Sequence, residues 1–421
     1  MASRAAASRT FDAVVAGAGI TGLACAHALA RAGLSVCVVD PNSPMTGTSA
    51  YSTECYRDLW SSRPMAKLCR RSIDLLEDLS RDCGDAFGFG ANQHGYLFVS
   101  REPEHGAGSG GDSSHPLLSF ASDISQNGGG PVRQFRKSGK SGPSGPNSHH
   151  QETLRPYSSA DKHGLDMVWG QEAISQSFPH VRAESALHAR RAGWIDSQQL
   201  GTVLLEGVVE AGGVLMVGST VCGMTREAAT GAVQGVRVRA RGEQEVMDIC
   251  ARHFVNAAGP FAGELHDALA VSGVFGGGQG RCLPFGGVQN LGMHNELHAK
   301  VIFKDHHGVV PSDSPMVILA DQTTLEWGVD ELDWVGELRQ SPELAKEANM
   351  QDWVQPGLPP GCHIRPASNG WCVMLWEHAH QGIRLNHSVN GGAGAGAATG
   401  QPPPPPRVHD PTMPDFYDAH I

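Results

Sequence analysis

At 421 residues with 40 % apolar content, the chain is long enough to bury a sizeable core, as two domains or as one large domain with an interleaved partner. Asp and Glu number 43 against 32 Lys and Arg, a net charge of −11 with no basic cluster. That balance excludes nucleic acid and anionic membrane surfaces as natural partners. Ten cysteines are scattered with no CxxC pair and no zinc spacing, which fits a reducing compartment such as the cytoplasm and speaks against a metal site.

The first ten residues, MASRAAASRT, hold Arg, Ser and Ala without an acid. They resemble the start of an organelle transit peptide but are too short to be one alone. The informative stretch follows at once: FDAVVAGAGITGLACAHALARAGLSVCVVD, Phe11–Asp40. An apolar strand (Ala13–Ala16) enters Gly17, Gly19 and Gly22. A helix of small and apolar residues follows (Ile20–Ala32). A second apolar strand (Leu34–Val39) ends in Asp40. Strand, glycines, helix and acid together make a dinucleotide-binding fingerprint. Gly17 permits the tight turn, Gly19 lets a pyrophosphate approach the backbone, and Gly22 lets helix and strand pack closely. Amides at the helix start (Ile20, Thr21) face the phosphates, and Asp40 accepts from a ribose diol. An unphosphorylated ribose means FAD or NAD. The three glycines, His27 and Arg31 argue against a membrane span.

Further along, residues 63–83 have the period of an amphipathic helix, and Gly95–Ser100 reads as a strand. Between 101 and 152, Gly, Ser, His and Pro dominate, which predicts a disordered surface insertion. A helix capped near Asp196 and a strand at Val214–Val217 come next, then paired strands at Val233–Ala240 and Glu245–Cys250. HFVNAAGPFAGEL is a strand entering a Gly–Pro turn and a new helix. His294, Glu296, His298 and Lys300 alternate along a strand and so share one face, which is either a pocket wall or a solvated face. His363–Arg365 and Trp371–Trp376 flank Ser368–Gly370 as a hairpin.

Three separated segments then resemble one family, the FAD-dependent amine and amino-acid oxidoreductases that include D-amino-acid, glycine and sarcosine oxidases. They are the fingerprint with Asp40, the stretch PMTGTSAYSTECYRDLW (Pro44–Trp60), and GWIDSQQL…VNAAGPFAGEL (Gly193–Leu265). The resemblance implies FAD as cofactor and oxidation of a C–N bond of an amino acid or amine by hydride transfer. It implies that Thr48 and Ser49 bond the diphosphate or ribityl chain and that Ser52 and Thr53 lie near the isoalloxazine. Val221 would present backbone to the adenine, and Ala257 and Gly259 would bring backbone close to the cofactor. Arg57 matches the arginine that faces a substrate carboxylate, a task suited to a planar fork; the alternative is an ion pair with Asp58 or Glu54. An NAD-dependent dehydrogenase accounts for Gly17–Asp40 but not for the second and third segments.

The implied fold is α/β, a Rossmann-like FAD-binding domain (11–85 and 186–272) with a second, antiparallel-sheet substrate domain (86–185 and 273–385) and a Gly/Pro-rich tail, 386–421. Two departures stand out. Sarcosine oxidase-like sequences carry a basic residue three before the arginine; here it is Glu54, which disfavours sarcosine and suits a cationic amine or a salt bridge to Arg57. Nothing after His378 resembles the family's closing Gly-rich segment, so the expectation is a member lacking that part, either weak in FAD binding and turnover or non-catalytic.

Overall fold

Short runs of Val, Ala and Ile bounded by glycine turns build two sheets. The computed structural model describes residues 9–104, 115–136, 163–227, 230–269, 299–322, 328–347 and 360–376. The first sheet has six strands: β1 (Arg9–Ala16), β2 (Val36–Asp40), β9 (Val214–Val217), β10 (Ser219–Arg226), β11 (Val233–Ala240) and β12 (Val246–Asn256), in the order β10-β11-β12-β1-β2-β9. β12, β1, β2 and β9 run parallel, while β10, β11 and β12 form an antiparallel meander. Helices α1 (Ile20–Arg31) and α5 (Ser197–Glu210) cover one face: Leu23, Ala26, Leu200, Leu204 and Val208 pack on Val15, Val36 and Val38. The Asp196 carboxylate accepts the Gln199 amide at 2.9 Å and so caps α5. β12 continues past Cys250 to Asn256, because β1 supplies a parallel partner along that whole length.

The second sheet has eight strands in the order β13-β16-β15-β14-β4-β7-β6-β5. They are β4 (Tyr96–Ser100), β5 (Val132–Arg136), β6 (Leu165–Trp169), β7 (Ser185–Ala189), β13 (Ala299–Lys304), β14 (Met316–Leu319), β15 (Cys362–Pro366) and β16 (Trp371–Trp376). Most neighbours are antiparallel; β4–β14 and β5–β6 are parallel pairs within it. A row of polar side chains crosses three strands in register: Arg133 on β5, Asp166 on β6 and His188 on β7. Arg133 Nε donates to Asp166 Oδ1 at 2.7 Å, and Arg190 Nη1 lies 3.5 Å from the same oxygen.

The composition of 101–152 predicts disorder, and the structure corrects this over its middle. Helix α3 (Pro116–Ile124) and strand β5 form there. The reason is a stripe of Leu117, Ala121 and Ile124, spaced for one helix face, that packs on Leu165, Met167 and Trp169. The Nδ1 of His115 accepts the Leu117 amide at 3.2 Å and caps the helix. Positions 105–114 and 137–152 lie outside the described residues. So do His294, Glu296 and His298, and the tail 386–421.

Candidate active site

The glycine turn between β1 and α1 is built from backbone. Gly17 has φ +112, and a Cβ there would stand 2.2 Å from the carbonyl oxygen of Ala257. A Cβ on Gly22 would stand 1.9 Å from Gly17 O. Both glycines are therefore required by contact with backbone, which cannot yield. Gly19 is tight against Ser49 Oγ, at 3.2 Å from its would-be Cβ, and that hydroxyl accepts the Ile20 amide at 3.0 Å. Asp40 closes the loop from the other strand: Oδ2 accepts the Ala18 amide and Oδ1 the Asn42 amide, both at 2.7 Å. The turn Thr48–Tyr51 puts Thr48 next to Gly259, whose would-be Cβ lies 3.8 Å from Thr48 Oγ1. Ala257 is held by its amide on Ala16 O at 2.8 Å. Gly17, Gly19, Ile20, Gly22, Asp40, Ser49, Ala257 and Gly259 thus meet at the β1–α1 turn, and Thr21 is exposed on the first turn of α1. Val221 is apart from them, on edge strand β10 opposite Val238.

The second half of the site is built from side chains. Strand β3 (Cys55–Arg57) pairs with β8 (Ala192–Trp194), and the turn before it carries Ser52, Thr53 and Glu54. Two cations of the eight-stranded sheet hold that turn. Lys300 Nζ donates to Ser52 O at 2.6 Å; Arg365 Nε donates to Thr53 O at 2.8 Å. Glu54 sits at φ +64, a region that costs a non-glycine residue energy. Its surroundings hold it there. Oε2 accepts from Arg365 Nη2 at 2.7 Å, Oε1 accepts from Ser197 Oγ at 2.8 Å and from its amide, and the carbonyl accepts the Ile195 amide at 2.9 Å. Arg365 is 4 % exposed, lies over the Trp194 ring at 5.5 Å, and also donates through Nη1 to Pro366 O. Burial pushes the Lys300 ammonium below its ordinary value and Arg365 adds to this, against Glu54 and Cys55. The Cys55 thiol is pushed up by burial.

Both ion pairs weighed for Arg57 are corrected. Glu54 is committed to Arg365 and Ser197, and Asp58 to His163, whose Nδ1 lies 2.9 Å from Oδ2. Arg57 instead lies with its Cζ 4.4 Å from the Trp60 ring centroid and 5.8 Å from that of Tyr96. Among the described residues no carboxylate pairs with it. Arg365 and Ser197 escaped sequence reasoning; the available signal was a charged residue on the hairpin strand His363–Arg365. Among the described residues no group of three or more His, Cys, Asp or Glu is placed to hold a metal, and no helix is long and apolar enough to cross a membrane.

No curated protein sequence matches the chain. Several solved structures share its fold. L-Proline dehydrogenase from P. horikoshii aligns with a TM-score of 0.54 at 16 % identity, covering 87 % of this chain and 70 % of that one. Glycine oxidase from Bacillus cereus aligns at 0.51 and 12 % identity, covering 86 % and 70 %. An L-amino acid deaminase from Proteus vulgaris aligns at 0.51 and 13 % identity, covering 91 % and 71 %. The family model for FAD dependent oxidoreductase, DAO, matches residues 12–375. With a glycine turn shaped by contact, a second sheet reaching the Ser52–Glu54 turn, and that match over most of its length, the chain belongs to the DAO family of FAD-dependent oxidoreductases.

Proposed function

We propose that this chain oxidises a C–N bond of an amino acid or amine, with Arg57 receiving an anionic group of the substrate. The residues present fit FAD. Gly17, Gly19 and Gly22 leave a cradle that Cβ atoms would fill, at the positive end of α1. Asp40 keeps acceptor lone pairs after serving Ala18 and Asn42, enough for a ribose diol. In this reading Thr48 and Ser49 hold the diphosphate or ribityl chain, Ser52 and Thr53 flank the isoalloxazine, Val221 offers backbone to the adenine, and Ala257 and Gly259 close on the cofactor. FAD, when bound, supplies the acceptor for a hydride and its electron pair. The chain supplies orientation and charge.

One observation carries the substrate assignment. Arg365 and Lys300 are engaged by the Ser52–Glu54 turn, whereas the guanidinium of Arg57 meets aromatic faces and no carboxylate among the described residues. A cation resting on aromatic rings is oriented yet keeps its in-plane N–H groups for a planar carboxylate. The test is anaerobic mixing of the FAD-loaded protein with a panel of amino acids and amines, read as bleaching of the flavin band. Carboxylate-bearing amines should bleach it. Arg57→Ala should cut kcat/KM by about 2–4 kcal/mol with flavin content unchanged. Bleaching by none of the panel, or equal turnover by the variant, would refute the reading.

A further inference from the structure

We propose that Arg241, in the turn between β11 and β12, is a positioning residue for the adenosine end of FAD. Its Nη2 reaches a turn 200 residues earlier in the chain, donating to Pro41 O and, at 2.9 Å, to Asn42 Oδ1. The Asn42 amide donates to Asp40 Oδ1 at 2.7 Å, and the other carboxylate oxygen takes the Ala18 amide. One line of hydrogen bonds therefore runs from the guanidinium through the Pro41–Asn42 turn to Asp40 and into the glycine loop. The Arg241 amide is itself fixed, on Gly218 O at 2.7 Å, at the turn that leads into β10 and Val221. Arg241 thus ties together the Asp40 turn, the start of β10 and the β11–β12 turn.

A shallow, open depression of about 290 Å³ lies against those three pieces, lined by Pro41, Thr220, Cys222, Arg239 and Arg241 among others. The Pro41–Asn42 turn is an exposed loop tip, and Arg241 is the side chain that holds both its Pro41 carbonyl and its Asn42 amide oxygen. With it, the main chain that aims the Asp40 carboxylate is braced from behind. A guanidinium suits the task because it stays charged at all working pH values and its fork can reach two acceptors at once. Asp40 would then meet a ribose in the right orientation without paying the ordering cost at the moment of binding.

The inference rests on the reading that Asp40 accepts the ribose, and the test separates the two. FAD and ADP dissociation constants are measured by titration of the ligand-free full chain carrying Arg241→Ala, Asn42→Ala, both, or Asp40→Ala, alongside the ligand-free melting temperature of each. Arg241→Ala is expected to weaken FAD and ADP equally, by about threefold to tenfold, as befits an exposed charge-assisted hydrogen bond. The double variant should be no worse than Arg241→Ala alone, because the Asn42 side chain reaches Arg241 through the bond that Arg241→Ala already removes. Ligand-free melting should not move. FAD affinity within twofold of the parent in Arg241→Ala, while Asp40→Ala loses it, overturns the role of Arg241 alone. Unchanged affinity in Asp40→Ala overturns the ribose reading. A fall in ligand-free melting that parallels the loss of affinity makes Arg241 a structural strut and also overturns the proposal.

Discussion

The two sheets handle polarity in opposite ways. In the six-stranded sheet Ser219 is the buried polar side chain among the described strand residues; the rest of its buried side chains are Val, Ala, Ile, Met and Cys37. The eight-stranded sheet buries Ser100, Asp166, Ser185, His188, His363 and Arg365 within its strands. The difference follows from what each contributes. The glycine turn of the first sheet presents backbone amides and missing side chains, so that sheet has no need of charge. The other side reaches the site with side chains, and each charge it buries must be paired to be tolerated.

The comparison breaks first at the glycines. Gly22→Val places carbon against the Gly17 carbonyl, 1.9 Å from the Cβ position, and should cost about 4 kcal/mol or more, with loss of FAD retention on gel filtration. A variant that keeps stoichiometric flavin and the parent melting temperature would show that close contact does not shape this side.

On the opposite sheet, Arg365→Ala should cost about 3–5 kcal/mol in urea unfolding, because Glu54 keeps its left-handed backbone and loses the partner of Oε2. Adding Glu54→Gln should recover part of that loss; simple additivity would mean that the pair is not coupled. Asp166→Asn should cost about 3 kcal/mol at neutral pH, since Arg133 and Arg190 lose their carboxylate. Burial works to raise the Asp166 carboxyl, but Arg133, Arg190 and His188 outweigh it and the net direction is down from 3.8. A lowered acid contributes stability that is full above its unfolded value and is lost as pH falls through the folded one. The parent should therefore lose stability on acidification below about pH 4 with a slope that Asp166→Asn lacks. Equal slopes in the two proteins would remove Asp166 from the account.

The smallest effect tests the corrected segment. Ile124 is fully buried, and Ile124→Ala should cost about 2–4 kcal/mol if α3 is part of the second core. A change within 0.5 kcal/mol, about the range of surface substitutions, would restore the disordered reading of that stretch.

Much of the first sheet was legible because its signals are local. Gly17, Gly22 and Asp40 span little more than twenty residues, and each is read from a turn, a helix start or a strand end. The helix cap at Asp196, the strand Val214–Val217 and the hairpin at Ser368–Gly370 were legible for the same reason. The segment 115–136 was misread because composition averages over a window, whereas Leu117, Ala121 and Ile124 act by their spacing and by what Leu165 and Met167 offer them.

The sequence by itself determined the cofactor and the α/β character, since the glycine turn, the helix and the acid that announce them lie within one stretch of thirty residues, Phe11–Asp40. Tertiary structure alone decided which charges pair. Glu54 has Arg57 as a close neighbour in sequence, yet its partner is Arg365, 311 residues away. Side-chain partners are chosen by sheet topology and burial, and neither is written in spacing along the chain. That choice leaves Arg57 without a carboxylate among the described residues.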